Sequence, residues 1–392
     1  MKKLKLVQTI VLKFFIRLVY RVSSLLPIKK NQIAFASSRS DELQGNLLYV
    51  HDEIKCREKE FSCILLLSKY RNGLLYKLSY ILKMLRATYY LATSEFFFID
   101  DFYYLIYNIE PREGVKIVQL WHAAGAFKKF GYSAIGKEFG TSEQYLKYIK
   151  IHSNYTYAVV SAKSVVPMYA EAFNMEQNRV IPLGMPRIDF FYDNEKHRRL
   201  RTKLLTEYPQ FKTKRIILYA PTYRGGSYRQ QRFKANLDFH YLSKQLGHKY
   251  VILVHLHPYI TEGLVESYPE NFVYEINNSF NVNELMILSD ILITDYSSVI
   301  FEFSLLKRPI IFYTPDLEEY KHERDFYFDF ESFIPGEIFS DTKSLTQYIK
   351  AGKFNLNKVN AFSDNFFVNK DGTNSKKVVD YFLSISETKD EV

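Results

Sequence analysis

The chain has 392 residues, 47% of them hydrophobic and 24% charged, which is enough apolar material for two globular cores and excludes an intrinsically disordered protein. Lys and Arg outnumber Asp and Glu by 53 to 43, and the net charge of +10 indicates an anionic partner: nucleic acid, anionic lipid or a phosphorylated substrate. The two cysteines, Cys56 and Cys63, fit neither a disulfide framework nor a metal knuckle, so we expect a reducing, cytoplasmic setting.

Residues 1–27 are predicted to form a basic amphipathic helix. Lys13, Arg17 and Arg21 repeat at a spacing of four, and they interrupt a segment that would otherwise resemble a signal peptide or a membrane span. The pattern favours a helix lying in an anionic membrane interface. Packing of the helix on the protein's own body is the alternative. The apolar stripe beside the cations consists of Val7, Ile10, Val11, Phe14, Leu18 and Leu25.

Short β-rich runs alternate with longer helical stretches after Pro27, which predicts parallel βαβ units. The predicted strands are 32–36, 62–67, 116–120, 157–160, 215–219, 250–254, 272–274, 291–294 and 309–313. A turn signal at 184–189, followed by a charged stretch, marks a domain boundary. The predicted fold is therefore α/β, with two Rossmann-like doubly wound domains, 28–192 and 193–392, facing a cleft. Packing of the last helix back on the first domain is left open.

Ligands of open α/β sheets bind at the carboxyl ends of strands, so the residues that follow each predicted strand are the first candidates for a site. His122 follows strand 116–120 and is suited to accept a hydroxyl proton near neutral pH. Gly125 permits close approach of a substrate, and Lys128 and Lys129 could attract a phosphorylated acceptor. The alternative is a loop histidine bonded to a neighbouring carbonyl group.

In the second half, Thr222 and Arg224 follow strand 215–219, where the guanidinium could fork onto phosphate oxygens. A structural arginine paired with a carboxylate would look the same. His257, at the exit of strand 250–254, is preferred over His255 as a donor-phosphate contact. Neither histidine has the neighbouring ligands of a zinc site, and no metal site is predicted.

Strand 291–294 turns into a helix at Ser297 and Ser298, whose hydroxyls and backbone amides suit phosphate. Glu302 lies four residues after Ser298 and could hold ribose hydroxyls. An ordinary helix cap and a solvent-facing glutamate are the respective alternatives. The sequence contains no P-loop and no convincing dinucleotide fingerprint.

Taken in order, several motifs resemble those of the CDP-glycerol glycerophosphotransferases, the family of teichoic acid primases and polymerases. The likeness extends from about Lys116 to the carboxyl terminus and departs from the family at Ala123 and Asp325, where relatives often have glycine. The motifs are 119–122, 184–189, 220–224, 257–258, 294–298, 326–329 and 369–375.

The resemblance implies a GT-B-type fold with the acceptor in the first domain and the CDP-polyol donor in the second. It implies that His122 is the catalytic base. The implied contacts to the donor diphosphate are Arg224, His257, Ser297, Ser298 and Arg324, and Asp371 is implied at the donor nucleotide or polyol. Thr222 and Glu302 are predicted at the donor nucleotide or polyol from their positions after the strands.

The expected reaction is transfer of glycerol phosphate from CDP-glycerol to a hydroxyl of an undecaprenyl-diphosphate-linked teichoic acid or capsule precursor, with release of CMP. A ribitol-phosphate transferase using CDP-ribitol, a GT-B glycosyltransferase using a nucleotide sugar, and a non-enzymatic membrane scaffold are the alternatives. No cofactor is expected, and Mg²⁺ and homo-oligomerisation are left open. Nucleic acid is not expected, because the aromatic residues lie within apolar runs. The expected location is peripheral, on the cytoplasmic face of the cell membrane.

Overall fold

A computed structural model of the chain describes residues 2–71, 73–137, 140–224, 232–257, 260, 262–276, 279–323 and 325–387. The chain divides into unit 1, Met1–Phe190 with Phe367–Val392, and unit 2, Phe191–Phe366. The strands are β1 (Lys29–Ser37), β2 (Ser62–Leu67), β3 (Ser94–Ile99), β4 (Lys116–Gln119), β5 (Tyr157–Val159), β6 (Val180–Ile181), β7 (Arg215–Tyr219), β8 (Tyr250–Val254), β9 (Val273–Glu275), β10 (Ile291–Thr294), β11 (Ile310–Tyr313) and β12 (Glu337–Phe339).

The α-helices differ widely in length, from a single turn to six turns. They are α1 (Lys2–Ser23), α2 (Gly45–Lys55), α3 (Leu74–Thr93), α4 (Glu143–Leu146), α5 (Val166–Phe173), α6 (Asn194–Glu207), α7 (Phe239–Leu246), α8 (Val282–Leu288), α9 (Val299–Ser304), α10 (Leu317–Glu323), α11 (Phe330–Phe333), α12 (Thr342–Ala351), α13 (Leu356–Phe366) and α14 (Asn374–Glu387).

Unit 1 contains a parallel sheet with the strand order β2-β1-β3-β4-β5-β6. Every residue of β3 and β4 is buried, as expected for central strands of a parallel sheet that is covered on both faces. The chain reverses its direction of winding between β1 and β3. Ligands of such sheets bind outside the carboxyl ends of the strands at this switch point.

Unit 2 contains a second parallel sheet with the strand order β12-β11-β10-β7-β8-β9. Counted from β7, this is the 3-2-1-4-5-6 order of dinucleotide-binding folds. The switch point lies between β7 and β10, so the segments that begin at Ala220 and Asp295 mark the expected binding edge.

The two doubly wound sheets confirm the predicted fold class. The predicted bounds of β2, β7, β8 and β10 match the observed strands, whereas β3, β6 and β12 were not predicted. In the case of β3 the reason is local: α3 ends at Thr93 and β3 begins at Ser94, so no Gly or Pro separates the helix from the strand. Because this turn signal is absent, β3 was not recognised from the sequence.

The carboxyl-terminal segment belongs to unit 1, whereas the predicted second domain ran to residue 392. Helix α14 packs on α2, and Val378, Val379 and Phe382 join the core of the first sheet. Asp189 holds the start of α14, because its Oδ1 accepts from the backbone N–H of Asn374 at 2.9 Å and its Oδ2 from that of Ser375 at 2.8 Å. The predicted boundary motif is thus also an anchor for the end of the chain.

Gly184 shows why this anchor needs a glycine. Its φ is +93°, and a Cβ at this position would lie 1.9 Å from Oδ1 of Asn374. A larger residue would therefore displace the first turn of α14.

Helix α1 packs on unit 1 through Ile16 and Tyr20, which are both buried. Lys13 and Arg17 donate to the carbonyl oxygens of Tyr148 and Asn108. The helix nevertheless leaves large apolar side chains exposed, among them Val11, Phe14, Phe15, Leu18 and Val22. Helix α1 therefore packs on the protein body, the alternative given above, through one face only. Within the described part of the chain, no helix has both the length and the apolar character needed to span a bilayer.

Candidate active site

The switch point of unit 1 brings together three strand ends. Arg39 follows β1, Asp100 and Asp101 follow β3, and His122 follows β4. These residues come from distant parts of the sequence, but parallel strands deliver their carboxyl ends to one edge of the sheet. Of this group, sequence reasoning identified only His122.

His122 faces the carboxylate of Asp101. The distance from Nδ1 of His122 to Oδ1 of Asp101 is 3.8 Å, longer than a hydrogen bond but within the range of an ion pair. Arg39 holds the other oxygen, with Nε 3.1 Å from Oδ2 of Asp101. An aspartate in this position favours the tautomer with its proton on Nδ1, which leaves Nε2 able to accept a proton.

The backbone around His122 is fixed by a second set of contacts. The side chain of Asn46 donates to the carbonyl oxygens of Leu120 and Trp121, at 3.1 and 2.8 Å. Its Oδ1 accepts from the backbone N–H of Arg187, and the guanidinium of Arg187 donates to the carbonyl oxygen of His122, both at 3.0 Å. Trp121 has a φ of +51°, a conformation that needs such support in a bulky residue.

The protein atoms around one side of the ring withhold water from it and lower the pKa of His122 to about 4, against the opposing effect of Asp101, which raises it. Arg39 and Arg187 lower this pKa further, and a hydrogen bond to the backbone of Asp100 raises it. The imidazole is therefore neutral at pH 7, the state required of a general base. Because 41% of the side-chain surface is exposed, a substrate hydroxyl can reach the ring.

The loop after His122 is tightly held. The hydroxyl of Tyr169 donates to the carbonyl oxygen of Ala123 at 2.6 Å, and Ser161 donates to that of Ala124. Gly125 is buried, and Lys128 and Lys129 are half-buried. The acceptor role of these last three residues stays a prediction.

The switch point of unit 2 places Arg224 differently from the prediction. Its Nε donates to Oδ2 of Asp316 and one terminal nitrogen donates to Oδ2 of Asp295, both at 2.8 Å. The other terminal nitrogen donates to the carbonyl oxygen of Thr222 at 2.7 Å. Most of the donors expected to fork onto phosphate are therefore engaged within unit 2, and the alternative of a carboxylate-paired arginine is the one observed.

Two stacked tyrosine rings complete this network, and the guanidinium carbon lies 4.9 Å from the centre of each, Tyr296 and Tyr320. Burial alone would lower the pKa of Arg224, but the two carboxylates outweigh it and raise the pKa, so the arginine stays charged. The network ties the segment after β7 to the segment after β10.

Other predicted donor contacts lie at the same carboxyl edge of unit 2. The backbone N–H of Thr222 donates to Asp295 at 2.7 Å, and its buried hydroxyl has no hydrogen-bond partner in the described part of unit 2. His257 is exposed, three residues beyond β8, with its ring 5.7 Å from that of Tyr223. Ser298 is exposed, and among the described residues its side chain makes no capping hydrogen bond to α9. The alternative of an ordinary hydroxyl cap therefore does not hold for it.

Ser297 lies beside it, half-buried, with only a long 3.5 Å contact from the backbone N–H of Val299 to its hydroxyl. Glu302 is buried in α9, only 4% exposed, so the alternative of a solvent-facing glutamate is wrong. Asp371 belongs to unit 1, where its carboxylate accepts from Thr373 and lies 3.4 Å from Nζ of Lys377. Asp371 therefore lies outside the unit to which the donor was assigned, and its contact to the donor stays a prediction.

Arg324 lies outside the described residues. No group of three or more His, Cys, Asp or Glu side chains is placed to hold a metal ion in the described ranges. The expectations about metals and cofactors stay predictions.

Sequence reasoning missed Asp101, Arg39, Asn46 and Asp316. Asp101 follows the strand that lacked a turn signal, and the other three belong to segments that carried no motif. Arg187 lies in the segment that was interpreted as a boundary turn, and its role beside His122 depends on contacts 65 residues apart.

Two parallel α/β units with polar groups at their switch points are the architecture of a GT-B-like fold. The chain belongs to the CDP-Glycerol:Poly(glycerophosphate) glycerophosphotransferase family, whose profile matches residues 18–384, and this confirms the resemblance. The match reaches almost 100 residues further toward the amino terminus than the motifs did.

Individual relatives agree with the family assignment. The chain is 43% identical over 365 residues to the teichoic acid ribitol-phosphate primase of Bacillus spizizenii, with 93% of each chain covered. It is 32% identical over 302 residues to the teichoic acid glycerol-phosphate primase of Bacillus subtilis, with 77% of each covered. The structure of the wall teichoic acid polymerase TagF matches with a TM-score of 0.75 at 24% identity, over 99% of this chain and 98% of that one, which supports the fold.

Proposed function

We propose that the protein transfers a polyol phosphate from a CDP-activated alcohol to a hydroxyl of a lipid-linked teichoic acid precursor and releases CMP. The observation that carries the proposal is the pair formed by His122 and Asp101 at the switch point of unit 1. A neutral imidazole that is oriented by a carboxylate and open to solvent is suited to deprotonate an alcohol.

In this mechanism Nε2 of His122 takes the proton of the acceptor hydroxyl. The alcohol oxygen forms a bond to the polyol-bearing phosphorus of the donor, and the bond from that phosphorus to the oxygen of CMP breaks. CMP leaves with the electron pair of that bond. Asp101 holds the imidazole in place and stabilises the imidazolium formed in this step.

The donor phosphates are assigned to unit 2. The exposed hydroxyl of Ser298, the neighbouring Ser297 and the exposed His257 supply hydrogen-bond donors at the carboxyl edge of the sheet. Thr222 has a buried hydroxyl that a donor oxygen could satisfy. Arg224 acts in this proposal by holding the two segments that carry these groups.

For the transferred polyol we favour ribitol over the glycerol expected from the motifs. The support is the identity of 43% with a ribitol-phosphate primase, compared with 32% for a glycerol-phosphate primase. The apolar side chains that α1 leaves exposed support a peripheral location on the cytoplasmic face of an anionic membrane, where a lipid-linked acceptor would be found.

The test is CMP release from CDP-ribitol and from CDP-glycerol in the presence of a lipid-linked disaccharide acceptor. Native protein should release CMP only when acceptor is present, and faster from CDP-ribitol. The His122→Ala variant should lose roughly 10³-fold in kcat, while the exposed His248→Ala control keeps the native rate. Release that survives in the His122 variant would remove its role as base, and faster release from CDP-glycerol would reverse the choice of polyol.

A further inference from the structure

Unit 1 contains a partly open cavity of about 260 Å³ between α3, the end of β2 and the segment that follows β3. Its walls are mainly aliphatic and aromatic. The side chains that form them include Leu65, Leu67, Tyr80, Met84, Phe102 and Leu105. An engineered cavity of roughly 150 Å³ holds one benzene molecule, so this one has room for a hydrocarbon segment of about ten carbon atoms.

The cavity shares its walls with the segments that hold the His122–Asp101 pair. Phe102 follows Asp101 directly, and Ser38 precedes Arg39, the residue that pairs with Asp101. The hydroxyl of Ser38 donates to the carbonyl oxygen of Phe102 at 3.0 Å, which ties the two segments together at the cavity wall. A molecule that occupies the cavity therefore lies one residue away from the groups that orient the base.

Cations surround the cavity. Lys83 and Arg86 line it and are exposed, and an adjoining pocket, which shares Leu67, Tyr80 and Lys83, adds Lys69 and Arg71. Asp41 is the one carboxylate among the residues lining these two pockets, and it is paired with Arg71 at 2.7 Å. An apolar cavity with an excess of positive charge at its rim matches an anionic amphiphile.

Helix α3 forms one wall of this cavity. The face of its amino-terminal half that does not line the cavity exposes Leu75, Leu78 and Leu82, by 81%, 57% and 61%. Such a face suits an apolar environment better than water. A chain entering the cavity from a membrane would pass along this helix.

We propose that this cavity, the α3 pocket, binds the first isoprenoid units of the acceptor lipid, with the lipid's diphosphate on Lys83 and Arg86. The identity of the lipid rests on the proposed function, whereas the pocket itself does not. The walls formed by Ser38 and Phe102, the neighbours of Arg39 and Asp101 in the chain, favour the substrate's own chain over the acyl chain of a bulk phospholipid, since a bulk lipid has no need to lie beside the base.

The test is equilibrium dialysis of radiolabelled farnesyl diphosphate against the full chain, with dihexanoyl phosphatidylglycerol as competitor. Ser68→Phe, at the residue that follows β2, places a ring in the pocket, and Ser62→Phe makes the same change at the exposed first residue of β2. Lys83→Glu reverses a rim charge, and Lys77→Glu makes the same change elsewhere on α3, where the side chain is exposed.

Native protein should bind farnesyl diphosphate. Ser68→Phe and Lys83→Glu should each weaken binding about tenfold, with Ser62→Phe and Lys77→Glu unchanged. Equal binding by native protein and Ser68→Phe would overturn the proposal, and so would displacement by phosphatidylglycerol at equal concentration, which would indicate a site for bulk lipid. Because dialysis needs no turnover, failure of the transferase assay would leave this result intact, and the reverse also holds.

Discussion

The switch points of the two units use their charged residues in opposite ways. In unit 1, Asp101 lies 3.8 Å from an imidazole that keeps 41% of its side-chain surface exposed. In unit 2, Asp295 and Asp316 enclose Arg224, and two tyrosine rings cover it. A charged residue at a strand end stays available to a ligand when its partner leaves it accessible, and it ties segments together when its partners use up its hydrogen bonds.

The largest effect is expected from Asp101→Asn, which should lower kcat roughly 10³-fold because the imidazole loses its orienting charge. Asp52→Asn is the matched control, since Asp52 also contacts a histidine, with its Oδ1 3.0 Å from Nδ1 of His51 on α2. CMP release under saturating donor measures both. A native rate in Asp101→Asn would place the orienting role elsewhere.

The pH profile of kcat/KM tests whether Asp101 acts through His122, because a merely structural role of Asp101 would leave the profile unchanged. Asp101 raises the pKa of His122, so its removal should lower that pKa further below its value of about 4. The acid limb of the profile of kcat/KM should therefore move to lower pH in Asp101→Asn. An unchanged acid limb would mean that Asp101 does not act through His122.

In unit 2 the expected effect is on folding. Arg224→Met leaves Asp295 almost fully buried without its partner, and the free energy of unfolding should fall by about 3 kcal/mol. The exposed pair of Arg199 with Glu195 gives the control, for which Arg199→Met should change it by less than about 0.5 kcal/mol. Urea denaturation measures both. Full stability of Arg224→Met together with lost CDP-alcohol binding would instead support the predicted contact between Arg224 and the donor phosphate.

Acid should weaken the same network. Burial raises the pKa of Asp316, but hydrogen bonds and charge from Arg224 lower it more, so its net pKa lies below the ordinary value. The stability contributed by Asp316 is present above the unfolded pKa of about 4 and is lost as the pH falls through the folded pKa. Native protein should lose this contribution below about pH 4, and Arg224→Met should show less acid dependence in urea titrations at pH 7 and pH 3.

A smaller effect on the free energy of unfolding is expected at the contact between Asp189 and the start of α14. Asp189→Ala removes a carboxylate that accepts from the backbone and side chains of Asn374 and Ser375, and should lower the free energy of unfolding by about 2 kcal/mol. Asp341→Ala removes a simpler cap from α12 of unit 2, with an expected loss of about 1 kcal/mol. Equal losses in urea denaturation would show that the anchor of α14 is no more than a cap.

The smallest expected effect concerns the exposed apolar side chains, most of which belong to unit 1. Replacing Phe14 and Leu18 with Ser should weaken binding to phosphatidylglycerol vesicles about tenfold without loss of stability, because both side chains are about half exposed. Val265→Ser, at an exposed position of unit 2, is the control for vesicle co-sedimentation. Equal binding by all three proteins would remove α1 from the membrane contact.

Local signals were sufficient for much of the fold and for part of the site. His122, Ser297 and Ser298 were predicted as candidate site residues because each follows a strand whose apolar run can be recognised from the local sequence alone. Asp101 was not, because α3 runs into β3 without a turn. The role of Arg224 could not be decided either, since a phosphate-binding arginine and a carboxylate-paired one have the same local sequence.

The sequence established the two parallel α/β sheets, the order of the motifs and the family, and it picked out His122 as the candidate base, because apolar periodicity and turn residues act over a few positions along the chain. The tertiary structure alone decided which partners these residues have. Asp101 meets His122, Asp316 meets Arg224 and Asp189 meets Ser375 across separations of 21, 92 and 186 residues. Such contacts depend on how strands order within a sheet, which no local pattern records.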